Sequence, residues 1–187
     1  MTEGSVTGGQ IRRLNWGCGA EGEPGWINSD QKEGPGVDIS CDIREGLPLQ
    51  TDSIDYAVSI HALPEIPYPE LVPALTELHR VLKPGGVLRL ALPDLDRAID
   101  AYRRGDDSYF LVPDDEVRSL GGKLIVQVTW YGYSRSLFTR DFTAELLGKA
   151  GFRQVDQVDY RTTKSPFPGI TELDNREGES LFIEGTK

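Results

Sequence analysis

Long apolar runs are missing from this sequence: none of its 187 residues belong to a stretch approaching the ~18 apolar residues of a membrane span. Positive charge is short as well. Lys and Arg number 20 against 30 Asp and Glu, giving a formal net charge of −10 at pH 7. A chain this acidic lacks the basic footprint that phosphate backbones require, so neither nucleic acid nor anionic lipid is an expected partner. Cysteine is nearly absent. Cys18 and Cys41 have neither CxxC spacing nor a neighbouring histidine, which excludes a disulfide framework and predicts no metal site. Histidine is equally scarce, with only His61 and His79. Met1–Gln10 shows neither the basic start nor the apolar core of a secretion signal, so the expected location is the cytoplasm. Those ten residues read as a flexible tail ahead of a single domain over residues 11–187.

What is present is an alternation of short apolar segments and helical patterns. Residues 11–16 and 26–30 read as strands, Val37, Ile39 and Cys41 alternate as a third, and 54–60 forms a fourth. Leu71, Ala74, Leu75, Leu78, Val81 and Leu82 fall on one helical face, which Lys83-Pro84-Gly85-Gly86 terminates. Residues 87–92 predict a central parallel strand. A helix over Leu95–Tyr102 follows, with Asp94 as its cap. Residues 104–134 carry no clear period. Thr139 predicts the N-cap of a helix reaching Ala150, with Gly151 as its C′ residue, and residues 154–160 and 181–183 read as closing strands. The order predicts an open α/β sheet with ligands beyond the carboxyl ends of its strands. The first three connections leave little room for crossover helices. One face of the sheet is therefore expected to be thinly covered, by loops or by a partner subunit.

The chemistry concentrates in the turn after the first strand. Gly17-Cys18-Gly19-Ala20-Glu21-Gly22 satisfies GxGxxG, a pattern that in dinucleotide folds seats a pyrophosphate on a helix N-terminus. Here Pro24 and Gly25 interrupt any such helix, and Glu21 and Glu23 repel a pyrophosphate. A sulfonium cofactor without phosphates, S-adenosylmethionine, suits the acidic flanks better. Asp30, ending the second strand, is placed to accept both hydroxyls of a ribose. Asp42, with Ile43 beside it, follows the third strand and is placed to accept from an adenine amino group.

With these residues in view, the chain resembles the class I S-adenosylmethionine-dependent methyltransferases, in particular a small type-11-like group often found beside glycosyltransferases. The resemblance rests on Leu14-Asn-Trp-Gly-Cys-Gly19, Gly25-Trp-Ile-Asn-Ser-Asp30 and Leu47-Pro-Leu-Gln-Thr-Asp-Ser-Ile-Asp55. It continues through Leu78-His-Arg-Val-Leu-Lys-Pro-Gly-Gly86, Pro93-Asp94-Leu95, Leu146-Leu-Gly-Lys-Ala-Gly-Phe152 and Leu173-Asp-Asn-Arg-Glu-Gly-Glu-Ser-Leu-Phe-Ile-Glu184. It implies an open Rossmann-like sheet of seven strands, mostly parallel with an antiparallel last strand. Cofactor contacts are expected at Asn15, Gly17, Cys18, Gly19, Asp30, Asp42, Ile43 and Ser59. The sequence departs from that group at Glu21, where a third glycine is usual, and at Asn15, where an acid is common. It also has His61-Ala-Leu-Pro-Glu65 in place of Leu-Glu-His, and Ser134 in place of a histidine.

An oxygen nucleophile needs a base, and His61 at the end of the fourth strand is the first candidate, with an ordinary pKa suited to neutral pH. Asp94 is the second. Trp130, Tyr131 and Tyr133 are placed to contact a sugar-like acceptor. The expectation is a methyltransferase acting on a small hydroxylated acceptor, a sugar or glycoconjugate, with a homodimer as a further expectation. Two alternatives stand beside it: an NAD(P)-dependent oxidoreductase using the GxGxxG turn, and a non-catalytic S-adenosylmethionine-binding protein.

Overall fold

The structure, a computed structural model, describes residues 10–187. All but the last residue of the expected N-terminal tail lie outside the described residues. The chain runs through β1 (Arg13–Trp16), β2 (Ile27–Asp30), β3 (Ile39–Ser40), β4 (Ile54–Ile60) and α1 (Tyr68–Val81). There follow β5 (Leu82–Pro93), α2 (Leu95–Arg104), α3 (Leu120–Thr129), α4 (Arg140–Lys149), β6 (Arg153–Val158) and β7 (Ser180–Thr186). The seven strands form one sheet in the order β3-β2-β1-β4-β5-β7-β6. Every neighbouring pair is parallel except those of β7, which runs antiparallel to both β5 and β6. The strand order reverses between β1 and β4, and ligands in open α/β sheets bind at such a switch point.

The caps follow the sequence. Thr139 Oγ1 accepts from the Phe142 amide at 3.4 Å, Asp94 caps α2, and Gly151 just past α4 takes φ +102°. Three boundaries differ from expectation. The third strand shrinks to two residues. β5 begins at Leu82, because the Lys83–Gly86 turn stays in the sheet through bonds between Gly85, Gly86 and Lys187. The third difference is α3, a helix inside the unassigned stretch 104–134. It buries Lys123 and Gln127 while Ile125 stays exposed, so no apolar stripe marks it in the sequence. Lys123 bonds Asp107 at 2.8 Å and also pairs with Asp114, tying the preceding loop to the helix.

The two faces of the sheet are built differently. On one, Leu71, Leu75 and Leu78 of α1 and Leu146 and Leu147 of α4 pack on Leu14, Ala57, Leu88 and Leu90. On the other, no α-helix occupies the connections between β1 and β4. The thin cover expected there is supplied by residues 159–179, whose Phe167 and Ile170 pack on Trp26, Tyr56 and Val58. Arg89, fully buried in the middle of β5, fastens this segment. Its guanidinium bonds Asp174 at 2.7 Å, Glu184 at 2.8 Å, and the carbonyls of Thr162 and Asp159 at 2.9 and 3.2 Å. The strand expected to be almost wholly apolar thus carries the most heavily bonded cation in the core. Among the described residues no helix is long and apolar enough to cross a membrane.

Candidate active site

The carboxyl ends of β1, β2, β4 and β5 open on a cavity of about 540 Å³, within the size range of small-molecule sites. Gly17, Gly19, Asp30, Asp42, Ile43, His61, Asp94, Trp130 and Tyr133 all line it. Asn15, Cys18, Ser59 and Tyr131 do not.

The glycine turn is shaped by close approaches. Gly17 sits at φ +72°, and a Cβ there would meet the Ala62 Cβ at 2.1 Å. The amides of Gly17 and Cys18 both donate to the Ser29 carbonyl, at 2.7 and 3.1 Å. Gly19, at φ +71°, has nothing within 4 Å of where a Cβ would stand. Its amide donates to Asp30 Oδ2 at 2.9 Å, while Asp30 Oδ1 accepts from the Lys32 amide at 3.0 Å. A carboxylate offers about four lone-pair sites, so Asp30 can hold the turn and still accept two ligand hydroxyls.

No helix follows this turn. Residues 20–22 instead lie backbone to backbone against 34–36, with the Gly36 amide donating to the Ala20 carbonyl at 2.9 Å. A Cβ on Gly36 would stand 1.6 Å from the Glu21 carbonyl oxygen, and one on Gly34 2.6 Å from that of Ala20. The dinucleotide reading loses its physical basis here, since the pyrophosphate has no helix N-terminus to meet. Gly36→Ala is expected to cost about 1–3 kcal/mol through overpacking and to weaken cofactor binding with it. Thermal melts with and without S-adenosylmethionine check this, and an unchanged Tm would refute it.

Asp42 lines the cavity with its carboxylate already engaged by its own loop. It caps the short turn Ile43–Glu45, accepts the Arg44 amide at 3.0 Å, and holds the Arg44 guanidinium at 2.8 Å. The Arg44 side chain is the main reason its carboxyl titrates below the usual range. With most of its accepting capacity used, Asp42 fixes the turn that presents buried Ile43 as an apolar wall. Asn15 points to the opposite face of β1, bonds Asn28 at 3.1 Å, and lines a second cavity of about 550 Å³ together with Cys18. Ser59 lies beneath the site, its hydroxyl buried without a hydrogen-bond partner. Both cysteines are free thiols, each pushed up in pKa chiefly by burial.

His61 takes a left-handed backbone conformation, φ +56°, with its amide bonded to the Ala91 carbonyl at 2.9 Å. Its Nε2 lies 2.8 Å from Ser180 Oγ at the start of β7. Burial, and then the charge of Arg176, lower its pKa to about 4. The expectation of a histidine titrating near neutrality is corrected: the ring is uncharged throughout the physiological range. Asp94 is occupied with structure, accepting the Arg97 amide at 3.1 Å and pairing with its guanidinium at 3.3 Å.

The aromatic cluster divides. Trp130 and Tyr133 face the cavity, whereas Tyr131 turns away and donates to Glu116 at 2.8 Å. Trp130, Tyr131 and Gly132 take consecutive positive φ values of 43°, 55° and 90°, a strained corner at the cavity mouth. Among the lining residues without a role in the sequence reading are Tyr109, Gln127, Arg176 and Glu179. Burial, with Asp94 and Glu179 nearby, raises Tyr109 to about 12, so its phenol keeps its proton. Arg176 bonds Glu179 at 3.1 Å and lies 5.6 Å from the centre of the Trp130 ring. The one clue to these last two was the motif over residues 173–184, which supplied a resemblance but no chemistry.

The residues present fit S-adenosylmethionine. The glycine turn leaves open space at Gly19, Asp30 keeps free accepting sites, and the surrounding carboxylates suit a cationic ligand. Comparison with known proteins agrees. Residues 7–90 match the family model described as a methyltransferase domain. A stretch of 60 residues is 45% identical to a probable methyltransferase of Aspergillus luteorubrus, spanning 30% of this chain and 21% of that one. Among solved structures, an S-adenosylmethionine-dependent methyltransferase of Thermotoga maritima superposes with a TM-score of 0.59 at 22% identity, over 96% of this chain and 83% of that one. One of Archaeoglobus fulgidus gives 0.60 at 16% identity, over 95% and 87%. Over residues 7–90 the chain is thus similar to the methyltransferase domain, and over its whole length it shares the fold of solved S-adenosylmethionine-dependent methyltransferases.

Proposed function

We propose that this protein transfers a methyl group from S-adenosylmethionine to a small hydroxylated acceptor, a sugar or glycoconjugate. The observation that carries the proposal is the glycine turn tied to Asp30 at the switch point, opening into a cavity that continues to His61, Trp130 and Tyr133. The bound cofactor supplies an electrophilic methyl on a sulfonium. The chain's own residues do the rest. Asp30 accepts the ribose hydroxyls, Ile43 gives an apolar wall, and Trp130 and Tyr133 border the acceptor with rings that have polar edges. Holding nucleophile and methyl in line contributes up to about 7–11 kcal/mol in favourable systems. In the tautomer that carries its proton on Nε2 and donates it to Ser180 Oγ, the His61 lone pair sits on Nδ1 and takes the acceptor's proton.

The test is calorimetric titration with S-adenosylmethionine, followed by a screen of sugars and hydroxylated metabolites for methyl transfer. Wild type is expected to bind. Asp30→Ala is expected to bind at least about tenfold more weakly, because hydrogen bonds to a charged acceptor are lost. No heat of binding in wild type would sink this reading and the non-catalytic binding alternative together.

A further inference from the structure

Among the described residues, four of the seven non-glycine residues with positive φ lie at or beside the cavity mouth: His61, Trp130, Tyr131 and Arg176. Strain of this kind is held only where surrounding structure enforces it, and it gathers at ligand-gripping sites. Three separate segments of chain thus converge on one point. At that point stands Arg176, which borders the main cavity and also the second one behind His61. A guanidinium carries five donors in a planar fork. Arg176 has one hydrogen bond to another side chain, to Glu179, and its plane is steadied by the Trp130 ring. The other cation lining the main cavity, Lys32, lies beside Asp30 in the part assigned to the cofactor.

Resting on the methyltransferase reading above, we infer that Arg176 is the specificity-determining residue for the acceptor, gripping an oxyanion, a carboxylate or a phosphate, carried beside the methylated hydroxyl. Glu179 holds the guanidinium in the absence of that anion and competes with it when it arrives. The arrangement also couples binding to chemistry. The charge of Arg176 suppresses the proton affinity of His61, and an acceptor anion on Arg176 offsets that charge.

The test uses the full chain saturated with S-adenosylhomocysteine and four probes on one scaffold: glucuronate, glucose 6-phosphate, glucose and glucosamine. Binding of the cofactor product comes first. Its failure would strike the methyltransferase reading and not this one. One or both anions should bind at least about tenfold more tightly than glucose or glucosamine, and which of the two does so identifies the oxyanion. Arg176→Gln should remove that preference. Glu179→Gln should strengthen anion binding severalfold, a sign opposite to the one a merely structural ion pair would give. Equal binding of all four probes, no binding by any, indifference to Arg176→Gln, or weaker anion binding in Glu179→Gln would each overturn the inference. Circular dichroism of both variants confirms that they are folded.

Discussion

Arg89→Met is expected to destabilise the protein by about 3–5 kcal/mol, the range measured when one partner of a buried ion pair is removed. The side chain is fully buried, as are the carboxylates of Asp174 and Glu184 that it joins. Methionine fills much of the same volume, so the loss comes from charge and not from a cavity. Asp174 keeps one donor, the Arg161 amide at 2.8 Å, and Glu184 keeps the Lys164 amide at 3.2 Å. Neither suffices to hold a carboxylate away from water. The effect extends to the site, because residues 159–179 include Arg176 and lead directly into Ser180. Urea denaturation gives the loss in midpoint at an unchanged slope. Adding Asp174→Asn and Glu184→Gln to the same chain should recover part of the stability by removing the stranded charges. A loss below about 1 kcal/mol would mean that the segment is held by Phe167 and Ile170 alone.

The same arginine shows where the sequence could be read and where it could not. Local periodicity identified α1, α2, α4 and most strands, because those elements bury apolar side chains at the spacing their geometry demands. Arg89 broke no pattern in residues 87–92, yet its partners lie 85 and 95 positions away, a distance at which no local rule operates. α3 was hidden for the complementary reason: it buries a lysine and a glutamine whose partners, the Asp107 and Asp114 carboxylates and the Leu111 amide, lie in the preceding loop. In the site, Gly17, Gly19 and Asp30 were legible because turn chemistry is local. Gly34 and Gly36 were not, since their need for a missing side chain comes from residues 20–22 across the turn. Asp42 was read for its position at a strand end, and only the structure shows Arg44 occupying it. Tyr131 was grouped with Trp130 and Tyr133 by adjacency, but a left-handed corner sends neighbouring rings in different directions. The motif over residues 173–184 contained Arg176 and Ser180 all along. Its meaning required the fold, which carries it across the free face of the sheet to His61.

His61→Asn is expected to leave cofactor binding intact and to lower turnover by about 10²–10⁴-fold, the usual contribution of a general base. Asparagine is the informative substitution. It tolerates the left-handed backbone at this position better than alanine does, so the loss reports the imidazole and not a displaced loop. The pH dependence gives a second reading that needs no acceptor. The folded pKa is about 4, against an unfolded value near 6.5. Above roughly pH 6.5 neither state binds the proton, and the ring costs nothing. As pH falls from there towards 4, the unfolded chain takes up a proton that the folded one refuses, and stability drops by about 1.4 kcal/mol per unit. Below pH 4 both states are protonated and the difference is constant, at a few kcal/mol. Urea melts across this range should therefore show wild type losing stability relative to His61→Asn as the pH falls, since the asparagine variant escapes the penalty. Parallel curves would show that the ring titrates normally, and the buried, neutral histidine would have to be abandoned. The two measurements also constrain each other. A base that is neutral down to pH 4 predicts no loss of turnover between pH 8 and 5 from His61 itself. An inflection near pH 6.5 in the wild-type rate that disappears in His61→Asn would instead show a ring that takes up its proton at the ordinary histidine value.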